Sequence, residues 1–183
     1  GAVGEDSPTQ QGAFDLSFLR PIPGLHILAP RDDVDMRLML LWALKQSFPV
    51  AIRYARAGAP TLGQTRSLDI TRAEVLREGT DAWVFGIGPC LRNALEAADL
   101  LEAEGRSIGV VDARIVKPLD TEMLERLAGA PILTLEENSV VGGLGSAVIE
   151  HFEALGRLHE LRIKRLGFPD AWIDHATRDE QLT

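Results

Sequence analysis

The chain has 183 residues, 45% of them hydrophobic and 25% charged, an ordinary globular balance with room for one full domain and part of another. Acidic side chains outnumber basic ones 27 to 19, and the net charge of −8 repels nucleic acid with no basic cluster to offset it. No apolar run approaches the roughly 20 residues of a membrane helix, and the start lacks the basic-then-apolar order of a signal peptide.

The first residue is Gly1 rather than Met, so the natural amino terminus is expected upstream. A single cysteine, Cys90, offers no internal disulfide and no thiolate metal site, which points to a reducing, cytoplasmic compartment. In chain order, Leu25–Ala29 is a short apolar run closed by Pro30 and predicts a strand. From Asp32 the period becomes helical, with Met36, Met39 and Trp42 as core positions and Asp32, Asp33 and Asp35 in the first turn, where the helix dipole favours anions. Val50–Tyr54 predicts the next strand, giving a parallel crossover unit.

Residues 59–80 lack a long apolar period and contain Pro60 and Gly63, so they read as a linker. Beyond it, strands are expected at Trp83–Gly88, Ile108–Asp112, Ile132–Glu136 and Leu161–Leu166. Helices are expected at Leu91–Leu101, Thr121–Leu127 and Leu144–Leu155. This alternation predicts a mostly parallel sheet covered on both faces, able to bury its own core within residues 81–183. Residues 1–58 hold one crossover unit, whose edges need strands from elsewhere in the polypeptide or from another copy.

The opening Gly4-Glu5-Asp6-Ser7-Pro8-Thr9-Gln10-Gln11-Gly12-Ala13-Phe14-Asp15 resembles a segment of the transketolase superfamily's pyrimidine-binding domain, usually Gly-x-Asp-Gly-x-Thr-His-Gln-Gly. Asp15–Pro23, Ala29-Pro30-Arg31-Asp32, Ala51–Arg56, Asp112–Asp120, Glu136–Ser146 and Gly167-Phe168-Pro169-Asp170 follow in an order similar to that of the deoxyxylulose-phosphate synthases within the superfamily. Each motif alone is weak; the ordered series covers nearly the whole chain. The resemblance implies an α/β fold: part of a pyrimidine-binding domain in residues 1–58, then a three-layer α/β transketolase C-terminal domain with a mostly parallel sheet.

Members of that family are transferases that condense pyruvate with glyceraldehyde 3-phosphate, with loss of carbon dioxide, to 1-deoxy-D-xylulose 5-phosphate, a precursor of isoprenoids, thiamine and pyridoxal. The resemblance implies thiamine diphosphate and Mg as cofactors, with the cofactor as electron sink. It also implies a homodimer and a missing N-terminal domain of the same protein. That domain would carry the metal and diphosphate motif, and the glutamate that activates the cofactor lies outside this chain too, so the fragment alone is expected to be inactive.

Asp6 and Gln10 fall in the segment that lines the cofactor's reacting carbons in the family. A carboxylate there assists proton movement or orients a hydroxyl; the plain alternative for Asp6 is a turn or cap residue in a loop rich in Gly, Ser and Pro. Gln10 stands where the family has histidine. A glutamine amide orients a partner but exchanges no proton at physiological pH, which implies altered mechanism, altered substrate preference or weaker catalysis. Arg56 matches the family's acceptor-phosphate arginine, whose planar fork suits phosphate oxygens; the plain alternative is a surface ion-pair partner, the commoner fate of a lone arginine. The family's Arg-Tyr-Pro-Arg-Gly reads Arg53-Tyr54-Ala55-Arg56-Ala57-Gly58 here, without the proline; Arg53 is expected to have a structural or interface role.

Glu136, Glu137 and Asn138 follow a strand and are expected to cap the next helix rather than bind metal. Gly142-Gly143-Leu144-Gly145 invites a dinucleotide reading but has Val148 at the third glycine position. His26, His151, His159 and His175 form no nucleophile or metal pattern. Two rivals stand beside the synthase reading: the β-subunit of a 2-oxo acid dehydrogenase decarboxylase component, and a non-catalytic α/β assembly module.

Overall fold

The computed structural model describes residues 1–6, 8–56, 61–62 and 67–182. Ser7 of the opening motif, Ala57 and Gly58 of the arginine motif, and linker residues 59–60 and 63–66 lie outside the described residues.

After a 3₁₀ turn at Pro8–Gln10, helix α1 spans Asp15–Leu19 and strand β1 spans His26–Leu28. Helix α2, Asp33–Ala43, starts where Asp32 accepts a hydrogen bond from the Asp35 amide, the cap its acidic first turn predicts. Met39 is buried, whereas Met36 and Trp42 are half-buried and Leu40, Leu41 and Leu44 are exposed, so α2 covers its neighbours with a narrower stripe than its apolar content suggests. Strand β2, Val50–Ile52, pairs with β1 in parallel as expected.

The stretch expected as a linker is not free of regular structure. Glu74–Arg77 forms strand β3. Strands β4 (Ala82–Gly86) and β5 (Ile108–Asp112) follow, separated by helix α3, Leu91–Ala103, and β3 pairs antiparallel with β5 at the sheet edge. Its residues are all half-buried, because an edge strand has one flank in solvent, and that mixed exposure hides it from periodicity.

Strand β6, Ile115–Lys117, precedes helix α4, Thr121–Leu127, capped by Asp120. Strand β7 spans Pro131–Ser139, helix α5 Leu144–Ala154, strand β8 Arg162–Phe168 and helix α6 Arg178–Gln181. The five-stranded sheet runs β3-β5-β4-β7-β8, parallel throughout except for β3. The three-stranded sheet runs β2-β1-β6, where β6 joins antiparallel to β1.

Thus β6 completes the first unit from within the second. The main core is shared in the same way: Leu16, Ile27 and Ala29 pack in one buried cluster with Phe85, Val111, Leu144 and Phe152. Residues 1–56 bury their apolar face against residues 74–182 rather than alone.

A buried ion cluster sits on the same boundary. Arg31 donates to Asp112 and to Glu74, each at 2.8 Å, and Arg114 donates to Asp35 at 3.1 Å. Arg31, Asp35, Asp112 and Arg114 have fully buried side chains. Burial pushes the Asp112 carboxyl up, and the adjacent Arg31 guanidinium opposes that rise. Arg114 holds a left-handed backbone, φ 58°, stabilised by its amide donating to Asp112 at 2.9 Å.

Candidate active-site wall

The opening loop lies against the carboxyl ends of β7 and β8, the edge where parallel α/β sheets usually present ligands. Ser139 at the end of β7 donates its amide to the Ala13 carbonyl at 2.6 Å, and Asn138 accepts from the Leu16 amide at 3.2 Å. Arg53, 8% exposed, ties three segments: it donates to Asp15 at 3.2 Å, to the Gly12 carbonyl at 3.1 Å and to the Glu137 carbonyl. Its role is structural. Gln11, also buried, folds the loop on itself by accepting from the Val3 amide at 2.7 Å and donating to the Gly4 carbonyl.

These anchors bring two of the three candidate site residues together. Arg56 donates from Nη1 to Asp6 Oδ2 at 2.8 Å, with Arg56 64% and Asp6 33% exposed at the side chain. Gln10 is exposed at the end of the 3₁₀ turn and joins no hydrogen bond or ion pair with them.

The last segment of the chain, unassigned by sequence reasoning, packs on this loop. The Gly4 amide donates to Gln181 at 3.0 Å, and His175 Nδ1 lies 3.3 Å from the Asp6 carbonyl. Gly4 has φ +80°, and a β-carbon there would sit 3.2 Å from the Arg178 amide, so a larger residue would be both strained and crowded. Arg178 pairs with buried Glu137. One signal was present in the sequence: Thr177-Arg178-Asp179-Glu180 has the capping-box pattern, and the structure forms both of its bonds, fixing Arg178 as the first residue of α6.

Glu136, which lies within β7 rather than after a strand, caps α5, whereas Glu137 and Asn138 turn instead to Arg178 and to the Leu16 amide. The buried Glu136 carboxylate accepts from the Leu144 amide at 2.7 Å and the Gly145 amide at 3.0 Å, and burial pushes its carboxyl up against those two bonds. A β-carbon on Gly143 would come within 2.0 Å of that carboxylate, so the glycine leaves room for the protein's own anion. The α5 amides that a dinucleotide phosphate would use are therefore occupied. Among the described residues no group of three or more His, Cys, Asp and Glu side chains could hold a metal. Cys90 is buried against the Ile87 carbonyl, and burial pushes its thiol up, away from thiolate chemistry. No helix among the described residues is long and apolar enough to cross a membrane.

A mostly parallel five-stranded α/β sheet, closed by one antiparallel edge strand and carrying a partial second α/β unit on its carboxyl edge, defines a two-domain α/β class. Within that class, the chain belongs to the transketolase family: residues 71–183 match the model of the transketolase C-terminal domain, and residues 1–61 match that of the transketolase pyrimidine-binding domain. It is 46% identical to the 1-deoxy-D-xylulose-5-phosphate synthase of Chlorobium luteolum over 98% of this chain and 29% of that protein. With that of Carboxydothermus hydrogenoformans it shares 47% identity over 100% of this chain and 30% of that protein. The chain thus spans less than a third of these relatives and corresponds to their C-terminal portion.

Among solved structures, a split-gene transketolase in an inactive β4 tetramer superposes with a TM-score of 0.86 at 34% identity, covering 96% of this chain and 58% of that one. A transketolase from Campylobacter jejuni, 21% identical, shares the fold at a TM-score of 0.71 over 98% of this chain and 27% of its own.

Proposed function

We propose that this chain is the acceptor-side wall of a cytoplasmic thiamine-diphosphate-dependent synthase that condenses pyruvate with glyceraldehyde 3-phosphate, releasing carbon dioxide, to form 1-deoxy-D-xylulose 5-phosphate. The observation that carries the reading is the pairing of Arg56 with Asp6, which sets two motif residues distant in sequence on one exposed edge. The similarity to synthases at 46% and 47% identity supports it.

In this reading Arg56 exchanges the Asp6 carboxylate for the acceptor's phosphate, a swap of one anion for another at an accessible guanidinium. The freed Asp6 then accepts a hydrogen bond from a substrate hydroxyl. Gln10, at the position of the family's histidine, orients substrate through its amide without moving a proton. The cofactor, which the remainder of the protein would hold with Mg, would supply the electron sink for decarboxylation. In this reading the rest of the protein would hold metal and diphosphate, and the chain alone is expected to show no turnover.

A second reading comes from the split-gene transketolase, whose β4 tetramer is described as inactive. By analogy this chain would work as a separate subunit completed by another polypeptide, and self-association through these domains is expected in either case. The test joins the chain to the upstream portion of the Carboxydothermus hydrogenoformans synthase and measures pyruvate-dependent product formation. Turnover supports the synthase reading; a folded, cofactor-loaded hybrid without condensation, or one that transfers acyl groups to a lipoyl domain instead, refutes it.

A further inference from the structure

Three carboxylates crowd two guanidiniums where the two sheets meet. Arg31, in the loop after β1, uses one nitrogen, Nη1, for both Glu74 of β3 and Asp112 at the end of β5, each at 2.8 Å. Two carboxylate oxygens on one nitrogen lie within about 6 Å of each other, the range over which a neighbouring like charge disfavours ionisation. Asp35 of α2 is the third carboxylate, 3.5 Å from Arg31 Nε and 3.1 Å from Arg114 Nη2. The side chains of Arg31, Asp35, Asp112 and Arg114 are fully buried and that of Glu74 is 10% exposed, so water screens these charges poorly.

One carboxylate is therefore in excess, and the surroundings select Asp112. Glu74 keeps partial contact with water, and its other oxygen accepts from the Ser67 amide at 2.7 Å. Asp35 has one oxygen on each guanidinium. Asp112 shares its guanidinium nitrogen with Glu74 and otherwise accepts from the Arg114 amide at 2.9 Å. Cys90, which faces it from the turn before α3, is a neutral thiol and adds no cation. Burial, the largest influence, pushes the Asp112 carboxyl up to about 7; Asp35 adds to that rise, while Arg31 and the Arg114 amide oppose it.

We infer that the boundary between the two sheets is a proton-linked latch: closed, it holds one proton on Asp112 among the surrounding charges, and it loosens as that proton leaves. The unit that it fastens contains β1 and its parallel partner β2, just beyond which Arg56 stands. The direction follows from linkage. A carboxyl whose folded value lies above its ordinary 3.8 binds its proton more tightly in the folded state, so the stability it contributes is full at low pH and is lost as pH rises from about 4 through 7. The latch therefore tightens on acidification across neutrality, opposite to an ordinary exposed ion pair of a carboxylate.

Amide exchange of the 183-residue chain tests this at Ala29, whose amide crosses the boundary to the Arg114 carbonyl at 2.9 Å. Relative to the intrinsic rate at each pH, Ala29 protection should fall about tenfold between pH 6 and pH 8, the effect of releasing one proton over that window. Asp112→Asn keeps the shape, needs no proton and leaves Arg31 balanced by Asp35 and Glu74. Its Ala29 protection should be the same at both pH values and no lower than the parent's at pH 8. The Asp112 carboxyl carbon, followed by NMR in the unaltered chain, needs no variant to fold: its midpoint should lie above the ordinary carboxylate range, and Glu74→Gln, which removes the like charge, should lower it. Equal parental protection at pH 6 and pH 8 overturns the inference, as does an Asp112→Asn variant that keeps the tenfold change or loses protection at both. So does an Asp112 carboxyl that stays ionised down to about pH 5.

Discussion

Arg31, in the loop after β1, donates to Asp112, at the end of β5, at 2.8 Å with both side chains fully buried. The two residues lie on opposite sides of the boundary between the sheets, and Asp35 and Glu74 pair with the same guanidinium. Buried charges are tolerated only when paired, so this contact acts as a lock: intact, it contributes little net energy, but loss of one member leaves a buried charge uncompensated. Arg31→Met should therefore destabilise the chain by about 3–5 kcal/mol. Urea unfolding measures it, and a loss below about 1 kcal/mol would show that the cluster is hydrated rather than sealed.

Glu136 serves α5 in a comparable way, by satisfying two amides with one carboxylate. Glu136→Ala orphans both donors in a buried setting and should cost about 2–3 kcal/mol, readable as a lowered unfolding midpoint. Gly143→Ala should also destabilise, because the new methyl group collides with that carboxylate.

Acid should loosen the terminal segment before the core. The Thr177 hydroxyl and amide hold the Glu180 carboxyl below its ordinary 4.5. A carboxyl depressed in the folded state contributes stability above pH 4.5 and loses it as pH falls through its lower folded value. Protection of the Gly4 and Gln181 amides, relative to their intrinsic exchange at each pH, should thus fall below pH 4.5, and Thr177→Ala should lower the same protection at neutral pH. Unchanged protection in that variant would contradict the clasp.

Gln10 removes a titrating group from a place where the family has one. In the hybrid with the Carboxydothermus hydrogenoformans portion, Gln10→His should raise turnover and introduce a pH dependence centred near 6.5, the ordinary histidine value. Kinetics indistinguishable from the parent in rate, acceptor preference and pH profile would remove residue 10 from the mechanism.

The legible parts of the fold were those with local causes. Trp83–Gly86 and Ile108–Asp112 are near-continuous apolar runs because both sheet faces are covered there, and Asp32 announces α2 by its own chemistry. The unread parts have distant partners. Ile115–Lys117 becomes a strand because β1 of the other unit lies beside it, and Glu74–Arg77 because the β5 edge needs a neighbour. At the site, the motif placed Asp6 and Arg56 in one region and the structure joins them, but no spacing rule links either to Arg178.

The central claim is that this edge of the chain receives a phosphorylated acceptor. Steady-state kinetics of Arg56→Gln in the hybrid test it most directly, with saturating pyruvate and either glyceraldehyde 3-phosphate or unphosphorylated glyceraldehyde as acceptor. The account predicts a KM for the phosphorylated acceptor raised about tenfold or more, with KM for pyruvate and the kinetics of the unphosphorylated acceptor unchanged. Equal losses with both acceptors, or no loss with either, would contradict it.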